Sequence, residues 1–231
     1  MISVENLQKV YDGRTVLDIP RLEIRSGEIF GLVGNNGAGK TTLLRLLLDL
    51  IRADAGQVLM EGKNVRGSDH WKYDVGSFLD ESFLIDYLTP LEYFDFVGDI
   101  YGLSREESRR RFQDFGEFLN NDIHTTGKLI RELSQGTRKK IGIVSAVSLR
   151  PRLLILDEPF AHLDPSSQFR LQDILRGLSN DSGCTMVISS HNLEHVSAVC
   201  SRIAILEEGQ IIYDAPVREN TLEEMKQYFA V

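Results

Sequence analysis

The chain has 231 residues, a length that suits one or two domains with a sizeable core, and its hydrophobic (42%) and charged (26%) contents are those of a globular protein. The net charge of −8 disfavours a nucleic-acid partner, no apolar run reaches the ~20 residues of a membrane span, and the first residues lack the organisation of a signal peptide. Two cysteines, Cys184 and Cys200, make no disulfide framework, and we expect both to be buried and reduced.

The first 28 residues predict short strands separated by turns. Apolar patterning marks Ile2–Leu7, Val16–Ile19 and Leu22–Ile24, and Asp-Gly and Ser-Gly pairs mark the turns. Tyr11 lies in this region, and two interpretations are open for it. It is either a half-buried aromatic side chain of a strand or a platform for the adenine ring of a nucleotide.

The sequence IFGLVGNNGAGKTTLLRLLL at 29–48 predicts a buried strand, a glycine-rich loop and a helix. In that setting GxxxxGKT is typical of a phosphate-binding P-loop, because its glycines permit backbone angles closed to other residues and let successive N–H groups surround an anion. Lys40 is expected to neutralise the β- and γ-phosphates, and the Thr41 hydroxyl to bind Mg²⁺. The residues expected to bind nucleotide are Gly34, Asn35, Asn36, Gly37, Ala38, Gly39, Lys40, Thr41 and Thr42.

Strands are predicted next at Gln57–Met60 and at Val75–Leu79, which ends at Asp80. From 81 to 150 the strand signals stop and helical signals dominate, which predicts a helical subdomain inserted into an α/β core made of 1–80 and 151–231.

Three helices are predicted within 81–150. Thr89 and Ser104 each begin a capping box, and a third helix is predicted from about Thr137 to Leu149. In the second helix one face is expected to carry Phe112, Phe115, Phe118 and Leu119. The arginines at 109–111 make either a docking patch or a solvated helix face, and their acidic neighbours favour the latter.

Strands and helices alternate again after residue 150, which predicts a parallel sheet with its ligand sites at the carboxyl ends of the strands. The predicted elements are a buried strand at Leu153–Leu156, a helix opened by Asp164, a strand at Cys184–Ser189, a helix at Leu193–Cys200, a hairpin of Arg202–Leu206 with Gln210–Tyr213, and a last helix capped by Thr221.

Acidic residues follow the buried strand, at the edge of the sheet where the P-loop also lies. Asp157 is placed to hold Mg²⁺ directly or through water, and Glu158 to accept a proton from an attacking water. His191 follows the next strand along the chain. It is either a donor to the γ-phosphate or a structural histidine, and the residues alone do not decide between the two.

These motifs together make the chain resemble the nucleotide-binding subunit of an ABC transporter. GNNGAGKT at 34–41 matches Walker A, LLILDE at 153–158 matches Walker B, and LSQG at 133–136 matches the signature motif that precedes Walker B. Tyr11 lies where the adenine-stacking aromatic belongs, AHLD at 161–164 resembles the D-loop, and His191 matches the switch histidine. The resemblance runs nearly end to end.

The resemblance implies a P-loop NTPase fold, with a mainly parallel sheet, an N-terminal antiparallel β subdomain and an inserted helical subdomain, forming a single cassette over 1–231. It implies binding of ATP and Mg²⁺, with hydrolysis that uses Lys40, Glu158 and His191. It also implies that Ser134, Gln135 and Gly136 cover the γ-phosphate of an ATP held by a second, identical or related, ATP-binding subunit. The cycle would drive a transmembrane subunit on a separate chain, from the cytoplasmic face of the membrane.

The sequence departs from the family pattern at two places. The family usually has Gly at 135 and Gln at 137, and the Gln135 and Thr137 found here favour an exporter. The residue after the Val75–Leu79 strand is usually Gln, and here Asp80 is expected either to reach Mg²⁺ through water or to do no more than begin a turn.

Three other classes compete with the transporter subunit. An ABC ATPase without a membrane partner usually carries two cassettes or a long coiled-coil insertion, and the sequence contains neither. A small-molecule P-loop kinase explains neither 133–136 nor His191. A degenerate cassette is disfavoured by the presence of Lys40, Asp157 and Glu158.

Overall fold

The computed structural model describes residues 1–119, 127–218 and 220–229, with only the backbone for 226–229. Its strands are β1 Ile2–Tyr11, β2 Arg14–Ile24, β3 Ile29–Val33, β4 Ala55–Met60, β5 Lys63–Asn64, β6 Val75–Phe78, β7 Leu153–Leu156, β8 Thr185–Ser190, β9 Arg202–Glu207 and β10 Gln210–Pro216. Its α-helices are α1 Lys40–Leu47, α2 Pro90–Ile100, α3 Arg105–Gln113, α4 Gln135–Ser148, α5 Pro165–Ser182, α6 Leu193–Ser197 and α7 Thr221–Phe229.

The larger sheet has the order β10-β9-β3-β8-β7-β6, and all its pairs are parallel except β10 with β9. β3, β7 and β8 are buried along their whole length. Along β3, Ile29 and Val33 pack into one apolar cluster while Phe30 and Leu32 pack into another. A continuous apolar run is therefore explained by a strand covered on both faces, and the predicted parallel α/β sheet is confirmed.

The smaller sheet is antiparallel, with the order β2-β1-β4-β5. Val4 of β1 faces Leu22 on one side and Val58 on the other, so the three strands share one buried face. The two short strands predicted at 16–19 and 22–24 form one strand, β2. Pro20 does not break it because β2 is an edge strand, where a residue without an N–H is tolerated.

The helical segment differs from the predictions at its boundaries. Thr89 forms the predicted capping box with Glu92. Ser104 accepts the N–H of Glu107, but the Glu107 carboxylate pairs with arginines of α3 rather than completing the box. α3 ends at Gln113, so the predicted continuous helical face to Leu119 was wrong, although Phe112, Phe118 and Leu119 are all buried.

The three arginines at 109–111 are paired with acidic side chains of α2 and α3, as expected for a solvated face. α4 begins at Gln135, two residues before the predicted start. The subdomain boundaries 81–150 remain a prediction, and residues 120–126 within them and 230–231 at the end of the cassette lie outside the described part of the chain. No helix in the described ranges has the length and apolar character needed to span a bilayer.

Two free cysteines are present, and both are buried as expected. Burial raises the pKa of the Cys184 thiol to about 11 and raises that of Cys200 as well, so both stay protonated near neutrality. Their place in the core between sheet and helices explains the apolar patterns around them.

Candidate active site

The glycine-rich loop runs from the end of β3 to the start of α1. Gly37 and Gly39 have φ of +84° and +108°, backbone angles that other residues rarely adopt. Gly34 does not have a positive φ, and the prediction that it is needed for its backbone angle was wrong. A Cβ at Gly34 would lie 2.3 Å from the Leu206 carbonyl oxygen, so the loop requires glycine there because β9 passes so close.

Lys40 is held inside the loop that it follows. Its side chain is 6% exposed, and its Nζ donates to the carbonyl oxygens of Gly34 (2.7 Å) and Asn35 (3.2 Å). The same Nζ lies 3.3 Å from Oε1 of Glu158. The structure thus brings the predicted phosphate-binding cation and the predicted base into direct contact.

The two predicted Mg²⁺ ligands are also in contact. Thr41 donates its hydroxyl to Oδ2 of the buried Asp157 at 2.5 Å, and Ser189 donates to the other carboxylate oxygen, Oδ1. Ser189 lies on β8, which is the neighbour of β7 in the sheet, so parallel pairing places this hydroxyl beside the residue that follows β7.

Glu158 is fixed through both its main chain and its side chain. Its φ is +46°, which is rare outside glycine. Its N–H donates to Ser189 Oγ at 2.9 Å, and its carbonyl oxygen accepts a hydrogen bond of 2.9 Å from Lys139 Nζ. Its carboxylate Oε2 lies 2.9 Å from Nδ1 of His191, whose own side chain is largely exposed.

A cleft of about 250 Å³ opens between the glycine-rich loop and the end of β1. It is lined by Tyr11, Val16, Asn36, Gly37, Gly39, Lys40, Thr41, Thr42 and Glu158. Tyr11 is 44% exposed, and the Nζ of Lys9 lies 4.9 Å from its ring centre. An exposed ring at the mouth of this cleft supports the adenine-platform interpretation over the strand-core one.

A second depression lies on the other side of the loop. Asn35 and Ala38 line it, together with Glu207 and Glu208 of the hairpin between β9 and β10. Asn36 and Gly37 line both surfaces, whereas Asn35 and Ala38 line only this second one. Gly34 lines neither surface and is in close contact with β9.

Asp80 follows β6, the neighbour of β7 in the sheet, but its side chain does not contact the predicted Mg²⁺ ligands Thr41 and Asp157 and has different partners. It accepts hydrogen bonds from the N–H (2.7 Å) and hydroxyl of Ser82, and lies 3.9 Å from an Arg45 nitrogen. It therefore caps the short 3₁₀ turn at 81–83, as the turn interpretation requires. Its approach to Mg²⁺ remains a prediction.

The signature residues stand apart from the cleft. Ser134 caps α4 by accepting the N–H of Thr137. Gly136 faces the D-loop, where a Cβ would lie 3.0 Å from the carbonyl oxygen of His162. Neither of them, nor Gln135, is among the described residues that line the P-loop cleft. The chain therefore has two separated candidate anion sites.

Three residues of the site have no counterpart among the predicted site residues. Ser189 binds Asp157 and Glu158, Lys139 binds the Glu158 main chain, and Glu81 lies 3.9 Å from Lys139. The two serines that end the apolar β8 were a signal in the sequence, since a polar strand end faces the ligand edge of a parallel sheet. A lysine in a helix gives no such signal, because most lysines are exposed.

The residues present fit Mg²⁺. A hydroxyl and a carboxylate are hard oxygen ligands, and Mg²⁺ is usually held by one or two carboxylates together with substrate phosphates and water. In the described ranges no group of three or more His, Cys, Asp or Glu side chains is arranged to hold a metal by itself. Thr41 and Asp157 are thus suited to an ion that arrives with a nucleotide.

The family model described as "ABC transporter" matches residues 17–161. Among similar proteins, the ABC transporter ATP-binding protein sll0415 of Synechocystis sp. is 34% identical over 86% of this chain and 56% of its own length. The linearmycin resistance ATP-binding protein LnrL of Bacillus subtilis is 32% identical over 92% of this chain and 68% of its own length. The methionine import ATP-binding protein MetN of Carboxydothermus hydrogenoformans is 29% identical over 95% of this chain and 67% of its own length. The chain therefore spans little more than half the length of the Synechocystis relative.

Solved structures share the fold. The dimeric ATP-binding cassette MJ0796, in a post-hydrolysis state bound to ADP and Pi, superposes with a TM-score of 0.84 at 23% identity, over 94% of this chain and 99% of that one. An ATP-binding subunit of an ABC transporter superposes with a TM-score of 0.85 at 25% identity, over all of this chain and 93% of that one. The ATP-binding cassette fold, predicted from the resemblance, is confirmed.

Proposed function

Since the chain belongs to the ABC transporter family of ATP-binding proteins, we propose that it binds Mg-ATP in the P-loop cleft and hydrolyses it. One observation carries the proposal: the structure brings Lys40, Thr41, Asp157, Glu158 and His191 together at the carboxyl ends of β3, β7 and β8. A cation, a hydroxyl–carboxylate pair and a second carboxylate at one edge of a sheet are the groups that phosphoryl transfer to water requires.

The residues divide the work by position. Lys40 and the loop N–H groups hold the β- and γ-phosphates, Tyr11 stacks on the base, and Thr41 with Asp157 holds Mg²⁺, which neutralises phosphate charge. Glu158 accepts a proton from the water whose oxygen bonds to the γ-phosphorus, while the bond from that phosphorus to the bridging oxygen breaks and ADP leaves. His191, 2.9 Å from Glu158 Oε2, orients that carboxylate.

Phosphate release from Mg-ATP tests this proposal. We expect the wild-type chain to release phosphate and Glu158→Gln to bind ATP but turn it over at least 10²-fold more slowly, because the amide cannot accept the proton. Glu194→Gln is the matched control, since Glu194 is an exposed carboxylate near the same edge. Turnover of Glu158→Gln at the rate of the control would refute the role of Glu158.

The separated signature motif supports a second chain in the reaction cycle. Ser134, Gln135 and Gly136 form the N-terminal turn of α4, where free N–H groups and the helix dipole favour an anion. Their own P-loop does not reach them. We propose that they cover the γ-phosphate of ATP bound to another cassette, identical or related. Two ATP molecules then lie between the two chains, and hydrolysis allows the two chains to separate.

The mechanical output is proposed to go to a transmembrane subunit on a separate chain, with the cassette at the cytoplasmic face of the membrane. Gln135 and Thr137 support export, as does the similarity to a resistance protein, whereas the similarity to an import protein supports the opposite direction. Copurification with transmembrane proteins encoded in neighbouring reading frames tests the membrane partner. ATP-driven uptake of linearmycin or of methionine into inverted vesicles that carry the complex tests the direction of transport. An ATPase that recruits no membrane protein would favour an ABC-family ATPase without such a partner.

A further inference from the structure

A buried lysine on the signature helix contacts the turn that carries the proposed base. Lys139 lies in the second turn of α4, and its side chain is 6% exposed. Its Nζ donates to the Glu158 carbonyl oxygen at 2.9 Å and lies 3.9 Å from Glu81 Oε1. Resting on the proposed function, we propose that Lys139 is a positioning residue that fixes the Glu158 turn for hydrolysis.

The turn needs such an anchor because its backbone is strained. Glu158 has a φ of +46°, and a non-glycine residue holds that angle only where its surroundings enforce it. Ser189 holds the N–H of Glu158 and Lys139 holds its carbonyl. Loss of the lysine leaves the Glu158 carbonyl with only the 3.2 Å hydrogen bond from the Ala161 N–H, which belongs to the same turn. The carboxylate directions toward Lys40 and His191 then change with the backbone.

Glu81 supplies a matching charge. Its Oε1 is buried and has no hydrogen-bond partner, and the Lys139 amine lies within ion-pair distance of it. Burial lowers the pKa of Lys139 below its usual value, and the carboxylates of Glu81 and Glu158 offset part of that shift. The Lys139 side chain lies between the corner that follows β6, which carries Glu81, and the turn that follows β7, which carries Glu158, and these two strands are neighbours in the sheet.

The location of Lys139 also connects the two anion sites. Ser134 caps α4 and Lys139 lies five residues later on the same helix, so one rigid turn of helix joins the signature motif to Glu158. A phosphate bound at the N-terminus of α4 would thus be connected to the Glu158 carbonyl through the helix and one hydrogen bond.

The test compares Lys139→Met with Lys140→Met in the full chain with Mg-ATP. Methionine keeps the length of the buried stem without the donor. Lys140 is the control because it is equally buried on the same helix but its amine faces Asp164, at 3.7 Å. We expect Lys139→Met to lower kcat about tenfold or more, as for loss of one charge-assisted hydrogen bond, with KM and ATP affinity unchanged. Lys139→Arg, which keeps the charge and a donor, is expected to restore part of kcat.

A double variant separates positioning from general destabilisation. If Lys139 acts through Glu158, adding Lys139→Met to Glu158→Gln changes the residual rate by less than about twofold. A full tenfold loss in that background would overturn the proposal, as would equal kcat in Lys139→Met and wild type. Should Lys139→Met fail to fold, Lys139→Gln enters the same cycle. Wild-type turnover in Glu158→Gln would refute the role of Glu158, whereas the absence of phosphate release by the wild-type chain would refute the proposed function itself.

Discussion

Replacing Lys40 with alanine tests the phosphate-binding loop. Two effects are expected, a lower melting temperature of the free chain and the loss of ATP binding, and the size of each can be worked out. The substitution leaves the buried Gly34 carbonyl without its 2.7 Å donor and removes the cation beside Glu158. An unsatisfied buried acceptor costs about 1–3 kcal/mol. Since a domain of this size loses roughly 2–4 °C of Tm per kcal/mol, the variant is expected to melt roughly 2–12 °C lower and still be folded.

The second effect is the loss of ATP binding. At 100 times its Kd, a ligand stabilises the folded state by about 2.7 kcal/mol, which predicts a rise in the wild-type Tm of roughly 5–11 °C with Mg-ATP. Lys40→Ala is expected to show no such rise and no phosphate release, whereas Lys63→Ala, at an exposed position in β5, behaves as wild type. A Lys40→Ala chain that Mg-ATP stabilises as much as wild type would refute the reasoning.

The other predictions concern the rim of the cleft and the contact of α4 with the sheet. Tyr11→Ala should weaken ATP binding by ~1–3 kcal/mol in a nucleotide titration while Tyr11→Phe does not, and equal losses would point to the hydroxyl instead of the ring. Asp80→Ala should leave ATP affinity nearly unchanged and lower ATP turnover, most clearly when the membrane partner is present. If turnover is unchanged both with and without that partner, Asp80 serves only to begin the turn after β6. Gly142→Ala should lower the free energy of unfolding by about 1–3 kcal/mol in denaturant melts, because a Cβ there would lie 2.1 Å from the Phe78 ring, and wild-type stability would show that the ring can move away.

Elements whose signals are local were predictable from the sequence. The strand at 153–156 has the predicted bounds, and Asp164 caps α5 by accepting the Ser167 N–H. Hydrogen bonds from Ser166 and Ser167 hold the pKa of Asp164 well below its usual value, so the cap keeps its charge at low pH. Thr89 likewise begins its helix as predicted, because a capping box is decided within four residues.

Features decided by contacts between distant parts of the chain were not predictable. Position 34 requires glycine because β9 passes so close that no side chain fits there. Pro20 is tolerated within a strand because β2 lies at the edge of its sheet. α3 ends at Gln113, before the apolar pattern ends, because the residues after it pack as turns and still bury their side chains.

In the candidate site, too, the features set by local motifs were predictable and those set by contacts between distant residues were not. The motifs placed Lys40, Thr41, Asp157 and Glu158 at one edge of the sheet, and the structure brings them into contact. The support of Glu158 by Lys139 depends on how α4 packs against the sheet, a contact between residues 19 positions apart that no motif encodes.

The central claim is that ATP closes two of these chains on each other and that hydrolysis opens them. The most direct measurement is the molar mass, by light scattering, of Glu158→Gln at saturating Mg-ATP and, separately, at saturating Mg-ADP. We predict twice the 26.1 kDa of one chain with ATP and the mass of a single chain with ADP. A variant that binds Mg-ATP and keeps the mass of a single chain would contradict the claim.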